Sequence, residues 1–173
     1  MYNQDESGRS MIEMLGVLSI MGVIMYGAVA GINFGIDMYK INATYNEIEE
    51  LGQAITDLYS WNSGNYDGLT KYTDTSGNYS SSAQIICDND AYPNCTNNNT
   101  QLTNQWGGGV NVGSVGTEAE DFVIEYTGLP YVACERLRTE PSFQSVCIGK
   151  NIDCASGNTN IVTFYSIGAT KCK

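Results

Sequence analysis

The sequence predicts an α+β protein: a long N-terminal helix packed on an antiparallel sheet of about four strands, with a disulfide-stapled C-terminal region. Three observations predict it. An apolar run from Met11 to Ile36 passes at Asp37 into a stripe of apolar residues at helical spacing. Short β-branched and aromatic runs, parted by turn formers, fill the last third of the chain. Six cysteines, an even number, follow an apolar segment that targets a membrane, which implies an oxidising compartment and disulfides.

The helix comes first. Between Met11 and Ile36 only Glu13, Ser19 and Asn33 are plainly polar. At ~1.5 Å per residue the run makes roughly 39 Å of helix, enough to cross a hydrocarbon core of ~30 Å. A carboxylate two residues into such a run is costly in hydrocarbon unless it meets a cation, which marks Glu13 as a functional charge. Gly27, Gly31 and Gly35 are spaced four apart on one helical face. Each would cost a soluble helix ~1 kcal/mol relative to alanine. In a membrane or a packed fibre core the same glycines let helix backbones approach closely. From Met38 the stripe Ile41, Tyr45, Ile48, Leu51, Ile55 and Leu58 marks an amphipathic helix with one buried face. No proline interrupts Met11 to Trp61, so a single helix of roughly 75 Å is expected.

Residues 60–105 are dense in Asn, Gly, Ser and Asp, which predicts a long loop. Asp88 and Asp90 lack the spacing and glycine of an EF-hand, so a solvated acidic loop is expected there and no metal site. Strands are predicted over 107–115, 122–126, 145–149 and 161–167, and a helix from Pro130 and Tyr131 to Glu140, stopped by Pro141. Short connections favour an antiparallel meander.

Composition excludes several functions. A net charge of −11 with only eight basic residues argues against nucleic-acid binding, which needs clustered Lys and Arg. There is no histidine, no nucleophile elbow, no CxxC pattern and no phosphate-binding glycine loop ending in lysine. No enzymatic activity and no cofactor are expected.

Gly8, followed by Arg9-Ser10-Met11-Ile12-Glu13 and the apolar run, resembles the processing site of type IV prepilins. Asn104 to Gly108 and the stretch Phe122 to Leu137 resemble the sheet approach and the strand, turn and cysteine-bearing helix of type IVb pilins. The resemblance implies the type IV pilin fold. It also implies cleavage after Gly8, methylation of the Arg9 amine, and pairing of Glu13 with that amine on a neighbouring subunit. The organisation expected is a leader over 1–8, an apolar transmembrane or filament-core helix over 9–36 and its amphipathic half over 37–61. A globular head over 62–173 follows, with its loop over 62–105 and its sheet and disulfides over 106–173. The implied partners are the chain itself in a helical homopolymer, a prepilin peptidase, the pilus assembly machinery and the inner membrane, with an extracellular pilus as the end state. A competing reading is an ordinary signal peptide cut after Ala28-Val29-Ala30; the acidic residues ahead of the run and Glu13 within it speak against that. Another is an anchored or secreted extracytoplasmic binding domain that never polymerises.

Six cysteines allow fifteen pairings, and sequence alone does not choose among them. Two pairs are local across turn-forming sequence, Cys87 with Cys95 and Cys147 with Cys154. The remaining pair, Cys134 with Cys172, is also the one that the pilin resemblance implies.

Overall fold

A computed structural model describes residues 11–70, 80–88, 101–139, 143–157 and 159–172. Helix α1 runs Met11–Leu58, and the chain divides into two compact units between Tyr39 and Lys40. In the second unit, Ile48, Leu51 and Ile55 of α1 are fully buried and Ile41 nearly so, while Tyr45 and Leu58 pack half-buried against the same core. These are the positions of the predicted stripe, because steps of three and four keep one face of an α-helix turned to its partner. After Leu58 a 3₁₀ turn, Ser60–Asn62, leads to Ser63 and Gly64, both left-handed with φ of 56° and 81°. Reversal through these two residues stops the helix without a proline.

The sheet has five strands, β1 (Leu102–Thr103), β2 (Gly109–Val115), β3 (Asp121–Leu129), β4 (Val146–Ile148) and β5 (Asn160–Ser166). Their order is β1-β2-β3-β5-β4, antiparallel throughout. The expected antiparallel sheet of about four strands is present, with the two-residue β1 as a fifth. One expectation is corrected: the sheet is no simple meander, since β5 lies between β3 and β4. The physical reason is length and burial. β5 has seven residues and carries Val162 and Phe164 fully buried, whereas β4 has three and suits an edge. Gly128, at φ 70°, lies where the β3 register shifts between Tyr126 and Leu129. Helix α3 (Tyr131–Thr139) follows Pro130 and buries Ala133, Cys134 and Leu137.

The predicted loop over 60–105 is also corrected, because it contains helix α2 (Ser80–Asp88) as well as β1. Ala83 and Ile86 of α2 join the core, and its Ser82 hydroxyl accepts the Thr70 amide at 2.6 Å. Three serines and a turn-rich setting hid a helix whose apolar face is only a few residues wide.

Alternation along the strands sorts the core onto two faces. Val110, Val112, Phe122, Ile124, Tyr126, Val162, Phe164, Val146 and Ile148 belong to the large cluster that holds α1. Val123 and Tyr165 face the other way, with Ala169 of the C-terminal segment. The disulfides follow this division and overturn two predicted pairs. Cys134 is bonded to Cys154, and Cys147 to Cys172. Cys147 lies between Val146 and Ile148 in β4, so its side chain turns to the opposite face, where it packs with Cys172 on the Tyr165 cluster. Cys134 and Cys154 both belong with the large core. Cys134–Cys172 and Cys147–Cys154 would each have to join opposite faces of the sheet. Cys87 is disulfide-bonded; Cys95, its predicted partner, lies outside the described residues.

At one end of the core, Tyr59, Tyr66 and Phe122 stack in sequence, with ring centroids 5.5 and 5.0 Å apart. Burial holds both tyrosine hydroxyls above their ordinary value of 10.0; Asp67 adds to this at Tyr59. At Tyr66 a hydrogen bond with Thr56 acts against the rise and Asp121 adds to it. Raised folded-state values mean that the unfolded chain loses these protons first. Stability from this pair is therefore complete below about pH 10 and drains away as pH rises through the folded values. Thermal melts should hold a plateau up to about pH 9.5 and fall beyond it, with less loss in Tyr66→Phe. A melting temperature indifferent to pH up to about 12 in the parent chain contradicts this.

Candidate functional site

The apolar part of α1 is the candidate site. From Met11 to Asp37 every residue is exposed. Its large apolar side chains from Met11 to Ile36 are 48–82% exposed. The helix is long and apolar enough to cross a membrane, lies near the N-terminus, and has none of its most apolar window buried. Ordinary soluble surfaces do not carry apolar patches of this extent. Burying one large side chain contributes ~1.5–3 kcal/mol, so covering this segment is worth on the order of tens of kcal/mol. It needs an apolar surround on all sides.

The polar groups in the segment are few. Ser19 returns its hydroxyl to the Leu15 carbonyl at 2.8 Å, satisfying both without water. Glu13 stands in the first turn of α1, where a carboxylate complements the positive end of the helix dipole. Among the described residues it forms no ion pair or hydrogen bond. Gly8 and Arg9, the predicted processing residues, lie outside the described residues.

Gly27, Gly31 and Gly35 are in the same segment, and a Cβ added to any of them would meet nothing within 4 Å. Among the described residues, nothing stands against the stripe. The contrast with the second unit is sharp. A Cβ on Gly52 would stand 2.6 Å from Val146 Cγ1 and 3.2 Å from Ser145 Cβ, so there the bare helix face seats β4 directly. Glu49 completes that seat: its carboxylate accepts the Gln144 amide at 3.0 Å and the Ser145 hydroxyl at 2.7 Å.

The stretch Asn104 to Gly108 forms the turn between β1 and β2. The Asn104 side-chain oxygen accepts the Trp106 and Gly108 amides, each at 3.0 Å, and its nitrogen donates to the Thr127 carbonyl at 2.8 Å. A related clamp operates at Asn160, which binds the Leu129 and Ala155 carbonyls and the Ala155 amide. These residues support the fold: alongside their local turn contacts, Asn104 reaches Thr127 and Asn160 reaches Leu129, links between segments far apart in the chain. Among the described residues, no group of three or more Cys, Asp or Glu side chains is placed to hold a metal ion. Asp88 ends α2, and Asp90 lies outside the described residues.

A family model described as PilS N terminal matches residues 38–173, most of the chain. The chain belongs to that pilin-like family. No curated protein matches it. Within the pilin-like frame the α+β architecture is the expected one: a long N-terminal helix, apolar in its first half, an antiparallel sheet, and disulfides in the C-terminal region. The family is a structural one, and the membrane-length helix of this pilin-like chain fits anchoring in a bilayer.

Proposed function

We propose that this pilin-like chain is the structural subunit of a type IVb-like pilus. Its precursor sits in the inner membrane through residues 9–36. A prepilin peptidase cuts between Gly8 and Arg9, the new amine is methylated, and the assembly machinery moves the subunit into an extracellular filament of identical copies. No nucleic acid, cofactor or catalytic step enters this role.

The observation that carries the reading is the exposure of the whole helical circumference from Met11 to Asp37. Lipid alone could cover it, but lipid leaves Glu13 without a counter-charge. Bundled copies cover the apolar side chains, bring glycine-bearing faces together, and supply the Arg9 amine of a neighbour to Glu13. An ion pair in hydrocarbon is strongly favoured over an isolated carboxylate.

Shearing of cells followed by microscopy and intact-mass measurement tests this. The expected result is filaments whose subunit begins at Arg9. Glu13→Ala should remove the filaments while the head, whose core closes from Ile41 onward, keeps its melting temperature. A subunit that stays with the membrane fraction and never shears establishes the non-polymerising domain instead. A chain starting at Gly31 establishes the ordinary signal peptide, and wild-type filaments from Glu13→Ala defeat the pairing.

A further inference from the structure

The charges of the second unit divide between the two ends of its sheet. Beside the last turns of α1 lie Asp57 and Asp67, with Glu118, Glu120 and Asp121 of the turn into β3. Two contacts bring these segments together: the Tyr66 amide donates to the Ala119 carbonyl at 2.8 Å, and Asp57 shares a cleft with Phe122 and Ser166. Neither the stretch 49–70 nor the turn 114–121 contains a Lys or Arg, and Lys71 lies outside the described residues. At the other end of the sheet a cleft of about 420 Å³ is lined by Lys40, the turn 105–108, Gly128 and Pro130. Strand β4 points to this end, because it is antiparallel to β5, whose first residue Asn160 pairs with Leu129. Lys150 follows β4, and its amide donates to the Lys171 carbonyl at 3.1 Å, which adds two more ammonium groups on that side.

These lysines are not neutralised within the chain. The one ion pair among the described residues, Glu135–Arg138, uses none of them. The carboxylates nearest to them in the chain, Asp37 and Asp153, are two against three. Trp106 lines the Lys40 cleft, and its indole N–H is buried with no acceptor among the described residues. Tyr131 and Val132, which follow Pro130, are 47% and 51% exposed. This end is also the one that follows the apolar run. Lys40 comes four residues after Ile36 on the continuous helix α1, about 6 Å of rise. A headgroup layer is roughly 5–8 Å deep on each side of the hydrocarbon. With residues up to Ile36 in a bilayer, Lys40 and its cleft therefore lie among the headgroups. An exposed tyrosine suits that depth, having an apolar ring and a polar tip.

We propose that the lysine-bearing end of the head docks on anionic phospholipid, with a headgroup phosphate in the cleft of Lys40 and Trp106. The inference rests on the anchoring of residues 9–36 in a membrane and not on polymerisation. A phosphate brings the acceptors that the Lys40 ammonium and the Trp106 N–H lack, and Lys150 and Lys171 answer the negative surface around it. The same surface repels the carboxylates at the far end, so the head settles on it in one orientation.

Quenching of tryptophan fluorescence by a lipid with a nitroxide on its headgroup tests this, in the full chain reconstituted into nanodiscs. Trp61→Phe leaves Trp106 as the one tryptophan, and Trp106→Phe leaves Trp61, 79% exposed and just beyond α1, as the control. Quenching of Trp106 should be about twofold stronger or more in mixed phosphatidylglycerol and phosphatidylcholine than in phosphatidylcholine alone, and Trp61 should show no difference. Near an anionic surface each lysine changes the docked-to-free ratio about fivefold. Lys40→Gln, Lys150→Gln and Lys171→Gln together should change it on the order of a hundredfold and remove the difference, with melting unchanged. Salt at ~1 M, which shortens the screening length to ~3 Å, should remove it in the parent chain as well. A chain that does not float with the lipid overturns the anchoring on which the proposal rests. In an anchored chain, equal quenching of Trp106 in the two lipids overturns the docking alone. So does a difference that survives the triple substitution or high salt, or one that Trp61 shares.

Discussion

Gly108→Ala is expected to prevent stable folding of the head, although it adds one methyl group. A Cβ at this position would collide with the Thr127 carbonyl oxygen and stand 2.8 Å from its carbon. Both are backbone atoms of β3, and the same oxygen already accepts the Asn104 side chain at 2.8 Å. Backing away would break that bond, the two that Asn104 accepts from the turn, and the Gly109 amide bond to the Thr127 hydroxyl. At ~1 kcal/mol each, with further cost for any group left buried and unpaired, the loss is comparable to the ~5–15 kcal/mol that holds a domain together. Gly107 is the control. Its φ of 80° is left-handed, but a Cβ there meets nothing, so Gly107→Ala should cost only ~1–2 kcal/mol. Denaturant titration of the two variants separates them. Equal stability would mean that the β1–β2 turn is not seated on β3 in this way.

Loss of the Cys147–Cys172 bond should cost about 3 kcal/mol or more, and loss of Cys134–Cys154 at least as much. The separations of 25 and 20 residues are alike, so chain entropy predicts similar contributions. Cys134 is fully buried in the large core, and cutting its side chain back to alanine adds a cavity. Cys134→Ala with Cys154→Ala should therefore lower the denaturant midpoint further than Cys147→Ala with Cys172→Ala. Peptide mapping of unreduced protein should recover Cys134 with Cys154 and Cys147 with Cys172. A Cys134–Cys172 peptide would break the rule that each bond keeps to one face of the sheet.

That rule shows how much could be read in advance. The alternation Val146-Cys147-Ile148 is plain in the sequence, and once these residues form a strand Cys147 must face away from its neighbours. The choice of partner still needed the side of the sheet on which Cys154 and Cys172 lie, and loops carry no such periodicity. Sequence closeness was the wrong guide for Cys147 and Cys154, and so was the pilin resemblance for Cys134 and Cys172. By contrast, the α1 stripe, α3 behind Pro130, and β2, β3 and β5 were legible because each carries its period or its stop signal. Helix α2 was not, having only Ala83, Ile86 and Cys87 on its buried apolar side.

The place of β5 has a consequence for when the head can form. It is the last strand made, yet it occupies the position between β3 and β4. Until Asn160 to Ser166 have been synthesised, β3 has a bare edge and β4 has nothing to pair with. A head made N-terminus first therefore stays open until almost all of it has been synthesised. The sheet closes only then, when β5 meets β3 through Val123–Tyr165 and β4 through Ile148–Phe164. Cys147 waits longest for its partner, which is Cys172, whereas Cys134 has its partner as soon as Cys154 is made.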